Sequence, residues 1–286
     1  LKPKLFFNHF FKLLNILSFD VVLGSVMTGI FACKVLSVEI NYWWLLVISL
    51  TVWVIYTTDH LLDAWKRKSA LTINRHLFHY KHIRIILAFW ALAATVSIFL
   101  GFMKLQSDIV YLGILIGISI LIYFGAIYFT RDKKPLFLQK ELFIALIYIT
   151  GIWLAPIVWY GGKLDGILWM LIANMVILAW SEGIIVSWYE FREDIADKHV
   201  SFTILFGRSC SRKFVYILLT IVLLFSISGI FIIRSNTTLF LAFLIEIMIG
   251  AVLFIVVSFP ASFKKVELYR YIGEASFMVQ GLILFV

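Results

Sequence analysis

Four carboxylates occur in two pairs with the same four-residue spacing. Asp59 and Asp63 form the first acidic pair, and Glu190 and Asp194 form the second. Residues four apart share one face of a helix, so each pair can present two carboxylates to one ligand. Carboxylates are costly near hydrocarbon, and a bound cation offsets both that cost and their mutual repulsion. Mg²⁺ is favoured because it binds one or two carboxylates and completes its shell with water and phosphate oxygens.

Further polar residues lie close to these pairs in the sequence. Asp197, one turn beyond Asp194, is a fifth candidate metal ligand. A diphosphate carries several negative charges, so Lys and Arg side chains are expected around it. The basic candidates are Arg67, Arg75, Arg131, Lys133 and Lys198. The alternative interpretation is that the acidic pairs are helix-end charges in contact with water, and that the basic residues only orient the chain in a membrane.

Composition places these charges in a membrane protein. The chain has 286 residues, is 63% hydrophobic and has a mean hydropathy of +1.01. A soluble domain of this length cannot bury so much apolar surface. We therefore expect a single all-α polytopic domain over residues 1–286. The net charge of +9 indicates contact with anionic lipid headgroups rather than with nucleic acid.

Nine apolar windows are long enough to cross a bilayer, which takes about 20 residues each. They cover 14–36, 41–62, 84–104, 108–130, 138–160, 165–189, 213–233, 238–259 and the stretch from Tyr271 to the end. With the N-terminus inside, 21 of the 25 Lys and Arg residues fall on the inner side. Because basic loops stay in the cytoplasm, the N-terminus and both acidic pairs are predicted to be cytoplasmic. The expected location is a bacterial inner membrane.

Three inner segments carry recognisable local patterns. The first acidic pair follows span two. The second follows span six and continues into Ser201-Phe-Thr-Ile-Leu-Phe-Gly207. After span four, Tyr128 is closely followed by Arg131. With nine spans, these segments resemble the UbiA superfamily of intramembrane prenyltransferases, of which this chain looks like a divergent member.

The chain departs from the family pattern in both motifs. If Asp59 and Asp63 are the two Asp residues of the first motif, Ile55 stands where the family commonly has Asn; if Asp59 takes the Asn position, the last Asp falls on Arg67. In the second motif, Glu190 stands where the family commonly has Asp.

The resemblance implies a UbiA-like bundle that transfers a prenyl group from a prenyl diphosphate to a hydrophobic acceptor, aromatic or lipid, within the membrane. It implies Mg²⁺ as cofactor and both acidic pairs as catalytic metal ligands, supported by Asp197. The five basic candidates would bind the diphosphate. Two alternatives remain open: a non-catalytic homologue that binds an isoprenoid or lipid, and an ion or solute transporter that uses the same acids.

Several other polar residues are candidates in their own right. His76, His79 and His82 are spaced to share one transition-metal ion, or to cover the site from an interfacial helix over 71–81. Acids inside predicted spans are functional suspects by default, and these are Asp20, Glu182 and Glu246. Glu182 lies two turns before Glu190, and two interpretations remain open: it projects into the same cavity, or it is paired or protonated within the bundle. Asn174 is predicted to hydrogen-bond a neighbouring helix.

Overall fold

The structure is a computed structural model that describes residues 14–67, 74–129, 139–196, 200–233 and 236–286. Its α-helices are α1 (Phe19–Val35), α2 (Tyr42–Arg67), α3 (Asn74–Lys81), α4 (Ile83–Lys104), α5 (Ser107–Phe129), α6 (Lys140–Tyr160), α7 (Gly166–Tyr189), α8 (Phe191–Ala196), α9 (Phe202–Phe206), α10 (Arg208–Ile232), α11 (Thr237–Ser258), α12 (Pro260–Phe263) and α13 (Leu268–Ser276). Short 3₁₀ helices cover Lys265–Glu267 and Phe277–Phe285. These ranges contain no strand. An apolar chain in lipid must satisfy its backbone groups internally, which favours helices.

Two compact units can be distinguished in the chain, and the single domain predicted over 1–286 stays a prediction. Unit 1 consists of Asn41–Leu105 and the described residues up to Val26. Unit 2 consists of Met27–Ile40 and Gln106–Val286. Helix α1 contributes residues to both units.

Unit 1 is built around α2, which packs against α3 and α4. Side-chain hydrogen bonds join α2 to α4: Thr51 and Ser97 share one of 2.8 Å, and the Trp90 indole donates to Thr58 at 2.9 Å. Such polar contacts are a usual way of joining helices in lipid, where lipid tails are as apolar as the helices themselves. Much of α4 is exposed and apolar, as expected for a surface that faces lipid.

Unit 2 is organised by α7, which packs against α6, α10, α11 and α13. Its core contains Leu171, Met175 and Leu178 from α7, together with Ile245 and Ile249 from α11, all essentially inaccessible to solvent. Helix α5 is largely exposed and apolar, as a lipid-facing helix would be. The central position of α7 matters because the second acidic pair follows its last turn.

Turns and caps fix where the long helices of unit 2 begin and end. Asp165 caps α7 by accepting a hydrogen bond from the Leu168 amide at 2.8 Å. Asn236 caps α11 in the same way. Gly207 separates α9 from α10 with a φ of +82°, a conformation that side chains rarely adopt. The positive φ at position 207 therefore explains why the pattern that begins at Ser201 ends in glycine.

Among the residues that the structure describes, seven helices are long and apolar enough to cross a membrane: α2, α4, α5, α6, α7, α10 and α11. They correspond to seven of the nine windows predicted from the sequence. The first window falls on α1, which has 17 residues. The last falls on α13 and the 3₁₀ helix after it, with nine residues each. The chain is thus an all-helical, multi-pass membrane protein.

Candidate functional site

The second acidic pair lies at a break between two helices. Glu190 ends α7 with φ −89° and ψ 9°, and α8 begins at the next residue. The Asp194 amide still donates to the Glu190 carbonyl at 2.8 Å, so one helical turn separates the two residues. Glu190 and Asp194 are therefore one helical turn apart, as their four-residue spacing predicts, although α7 ends and α8 begins between them.

Two side chains of α13 hold Glu190 in place. Its carboxylate forms an ion pair with Arg270 and accepts a 2.9 Å hydrogen bond from the Tyr269 hydroxyl. The Tyr269 ring stacks on Tyr189, with centroids 4.3 Å apart and planes within 5° of parallel. Arg270 is buried, and 14% of the Glu190 side chain remains exposed. Glu190 is consequently fixed in orientation before any ligand arrives.

Asp194 is the buried member of the second acidic pair, with 7% of its surface exposed. Burial, the largest cause, raises the pKa of Asp194 to about 7, and nearby Glu190 and Glu141 push the pKa in the same direction. The Ser201 hydroxyl and Lys140 act against this rise. Such a carboxyl is poised to exchange its proton for a cation close to neutral pH.

A second set of contacts fixes the segment that follows the acidic pair. Glu141 of α6 accepts a 2.8 Å hydrogen bond from the Phe202 amide at the start of α9. Ser187 of α7 and Thr203 of α9 share a 2.9 Å hydrogen bond. A Cβ atom added at Gly183 would lie 3.3 Å from Glu141 Cβ, so α6 and α7 approach closely here. Three helices therefore converge on the chain just after Asp194.

The first acidic pair belongs to unit 1. Asp59 is half-buried on α2, and the structure does not describe the side chain of Asp63. The neighbouring His60 is buried, with Nε2 3.2 Å from the Ser18 hydroxyl and its ring 5.1 Å from that of His79. His79 thus packs against α2. The helix predicted over 71–81 is observed as α3 from Asn74 to Lys81, and its interfacial position stays a prediction. The His76 side chain is not described.

Several predicted ligands lie beyond what the structure describes. Asp197, Arg131, Lys133 and Lys198 fall outside the described residues, and the side chains of Arg67 and Arg75 are not described. Within the described ranges, no group of three or more His, Cys, Asp or Glu side chains is arranged to hold a metal ion. The predicted ligand set, which includes Asp63 and Asp197, therefore remains a prediction.

The donor types around the second acidic pair nevertheless suit Mg²⁺. Buried carboxylate oxygens without a hydrogen-bond partner occur at Glu141 Oε2 and Glu193 Oε2. Mg²⁺ prefers such oxygen ligands and needs only one or two carboxylates when phosphate and water complete its shell. The residues present thus fit this cation.

Sequence reasoning missed four residues that shape this region. Arg270 was counted only as an inner-side charge, and Glu141, Tyr269 and Ser201 were not treated as site residues. Arg270 lies 80 residues after Glu190, a separation over which spacing rules make no prediction. The available signal was the Tyr269-Arg270 dipeptide directly before the last apolar window.

A separate polar cluster lies between α7, α10 and α11. The Asn174 amide donates to Glu246 Oε2 at 2.8 Å and to the Ser226 hydroxyl at 3.1 Å, and Ser226 lies 3.2 Å from the same carboxyl oxygen. Glu246 is 1% exposed. The predicted interhelical role of Asn174 is confirmed. We call Asn174, Ser226 and Glu246 the core triad.

No protein-family model matches the chain, and no curated protein sequence matches it. A solved structure of a digeranylgeranylglyceryl phosphate synthase in membranes is similar, with a TM-score of 0.54 and 15% identity over 95% of this chain and 96% of the other. The chain therefore has the fold of this synthase, which confirms the predicted resemblance at the level of the fold.

Proposed function

We propose that this protein transfers a prenyl group from a prenyl diphosphate to a hydrophobic acceptor within the membrane, and that the reaction depends on Mg²⁺. The observation that carries the proposal is the second acidic pair, placed at the end of the central helix of a prenyltransferase fold. The raised pKa of Asp194 and the fixed orientation of Glu190 support a cation-binding role.

The proposed metal ligands are Asp59, Asp63, Glu190, Asp194 and Asp197. The proposed diphosphate-binding residues are Arg67, Arg75, Arg131, Lys133 and Lys198. Bound Mg²⁺ would supply charge stabilisation to the departing diphosphate. Arg270 and Tyr269 hold the Glu190 carboxylate in one orientation, which lowers the cost of organising the site when the substrate binds. Asp194 would release its proton as the cation binds.

The proposal includes the full topology of nine spans with a cytoplasmic N-terminus. Helix α13 and the 3₁₀ helix after it contain nine residues each. At about 1.5 Å and 2.0 Å per residue they extend roughly 30 Å together, the thickness of a hydrocarbon core. With α1 as the first span, the segments bearing both acidic pairs would lie on the same side of the membrane.

A turnover assay tests this function. The full chain in lipid nanodiscs is incubated with geranylgeranyl diphosphate and a membrane lipid extract, with Mg²⁺ or with EDTA. We expect Mg²⁺-dependent release of diphosphate and a prenylated lipid detected by mass spectrometry. Asp194→Asn should lower the rate at least about 100-fold, because it removes charge stabilisation of the leaving group. Thr220→Val, at an exposed position of α10, is the matched control and should leave the rate unchanged. Equal turnover with Mg²⁺ and with EDTA would reject the proposal.

A non-catalytic isoprenoid-binding protein is the second candidate. It is favoured by Ile55, which cannot bind metal, and by the engagement of Glu190 with Arg270. Such a protein would bind geranylgeranyl diphosphate but release no diphosphate in the same assay, which separates the two candidates.

A further inference from the structure

Two oxygen atoms of the core triad have no hydrogen-bond donor. Asn174 Oδ1 and Glu246 Oε1 are buried, and neither has a hydrogen-bond partner among the described residues. The two residues are 0% and 1% exposed. The other polar atoms of the same two groups do bond, since Asn174 Nδ2 donates to Glu246 Oε2 at 2.8 Å. The two unpaired oxygens therefore belong to one amide and one carboxyl group that already contact each other.

The triad lies deep within its helices. Glu246 is about 14 Å from the first residue of α11 and about 18 Å from the last, because each helical residue advances about 1.5 Å. An ionised carboxylate at this depth is strongly destabilised unless a counter-charge offsets it. The described groups that interact with Glu246 are the Asn174 amide and the Ser226 hydroxyl, and neither carries a charge. The carboxyl group thus has hydrogen-bond partners but no cation among the described side chains.

A single proton would satisfy both unpaired oxygens. A protonated carboxyl group has one O–H donor, and an amide carbonyl oxygen is an acceptor. With its proton on Oε1, Glu246 donates to Asn174 Oδ1, while Asn174 Nδ2 donates to Glu246 Oε2. The two hydrogen bonds close a ring between the acid and the amide, and the acid carries no charge.

A water molecule and a monovalent cation are the other groups that could contact two such oxygens. A water molecule that donates to both would leave the negative charge buried. A cation would cancel the charge, but the Asn174 amide N–H group already points at this carboxyl group and repels a cation. Of the three, the proton both removes the charge and supplies the missing donor.

We propose that the core triad is a proton-binding site in which Glu246 is a neutral carboxylic acid that donates to the carbonyl oxygen of Asn174. Ser226 donates to Glu246 Oε2 at 3.2 Å, so the proton completes a hydrogen-bond network across α7, α10 and α11. The bound proton lets three helices pack around a polar group without a buried charge. Asn174 lies 16 residues before Glu190, about 24 Å along α7, so the site is separate from the second acidic pair and independent of the proposed function.

Infrared difference spectra of the full chain in dodecyl maltoside test the protonation state. A carboxylic acid has a carbonyl stretching band that a carboxylate lacks. The sample is kept at about pH 8, where Asp194, whose pKa is about 7, is mostly ionised. We expect an acid band in the wild-type minus Glu246→Gln spectrum and none in the wild-type minus Thr220→Val spectrum, since Thr220 is exposed on α10. A wild-type minus Glu246→Gln spectrum without an acid band would overturn the proposal.

Variants of the two partners assign the proton to the ring. Asn174→Leu removes the amide that donates to Glu246 Oε2, so the acid carbonyl band should move to higher frequency. Ser226→Ala is a smaller change that removes only the 3.2 Å hydrogen bond to the same oxygen. It should shift the band in the same direction by less, and it keeps the test available if Asn174→Leu does not fold. A band at the wild-type frequency in Ser226→Ala would contradict the network.

Thermal unfolding in different salts distinguishes the proton from a bound cation. The midpoint of the wild-type protein should be the same in NaCl, KCl and choline chloride at equal ionic strength, because no metal ion takes part in the site. Glu246→Gln, whose amide group can form the same ring with Asn174, should behave alike. A midpoint that rises with Na⁺ or K⁺ in the wild-type protein and not in Glu246→Gln would show that the triad binds a cation, and would overturn the proposal.

Discussion

Unit 2 contains two carboxylate sites in which the acid is stabilised in different ways, by an ion pair in one and by hydrogen bonds in the other. Glu190, at the end of α7, keeps 14% of its side chain exposed and is paired with the Arg270 guanidinium. Glu246, in the core triad, is 1% exposed, and its hydrogen-bond partners among the described side chains are an amide and a hydroxyl. The first arrangement suits a charge that must remain available to a ligand. The second suits an acid that joins helices.

The difference has an energetic consequence. Removing one member of a buried ion pair leaves the other as an unpaired buried charge, whereas removing both members restores most of the lost stability. Removing one member of a buried hydrogen-bond network leaves unsatisfied groups and a cavity, and a substitute of the same shape that keeps the hydrogen bonds restores the lost stability. Mutations can therefore distinguish the two sites.

The largest effect is expected at the ion pair. Glu190→Gln should destabilise the protein by about 3 kcal/mol, because Arg270 stays buried without its counter-charge. The double variant Glu190→Gln with Arg270→Met should recover most of this loss. Chemical denaturation in detergent measures the free energy of unfolding of both variants. A double variant as unstable as the sum of the single variants would show that the pair is not coupled.

The core triad should respond to shape rather than to charge. Glu246→Ala should cost about 2–3 kcal/mol through the cavity and the unsatisfied groups left at Asn174 and Ser226. Glu246→Gln, which keeps the shape and a hydrogen-bonding amide, should cost less than about 1 kcal/mol. The same unfolding measurement applies. A large loss in Glu246→Gln would mean that the carboxyl group itself is required, and would remove the contrast with Glu190.

Metal binding should depend on pH at the acidic pair and not at the core triad. Burial raises the pKa of Asp194 from 3.8 to about 7, and only the deprotonated form binds metal. Mg²⁺ affinity should therefore rise as the pH increases to about 7 and level off above it, with about a tenfold loss per unit well below the pKa. Calorimetric titration with MgCl₂ at several pH values measures this. Glu246→Gln should leave the profile unchanged, and a flat wild-type profile would contradict a role for Asp194 as ligand.

The smallest effect is expected at the hydrogen bond that supports the ion pair. Tyr269→Phe removes the 2.9 Å bond to Glu190 and keeps the ring that stacks on Tyr189, so it should cost about 1 kcal/mol. Tyr111→Phe, at an exposed position of α5, serves as the matched control. Equal stability of the two variants would show that Tyr269 does not support Glu190.

Local features of this fold were predictable from the sequence because they depend on local spacing. Seven long apolar helices and the one-turn separation of Glu190 and Asp194 follow from hydropathy and helical periodicity. The turn capped by Asp165 follows from its residue types.

Features that depend on packing were not predictable. Arg270 reaches Glu190 only because α13 packs against α7, and Glu141 meets the Phe202 amide only because α6 and α9 converge. The burial of Asp194, which sets its pKa, has the same origin. Asn174 was recognised as a helix-joining residue, but its partners Ser226 and Glu246 come from two other helices. Spacing rules describe one helix at a time and carry no information about such contacts.

The most direct test of the central claim is Mg²⁺-dependent binding of geranylgeranyl thiolodiphosphate to the wild-type protein and to two single variants, Asp63→Ala and Asp194→Ala. Each variant removes one carboxylate from a different acidic pair. We predict tight binding by the wild-type protein that EDTA abolishes, and a loss of at least about 100-fold in each variant, in line with the removal of a charged ligand contact. Undiminished binding in both variants would contradict the assignment of the acidic pairs as the diphosphate site.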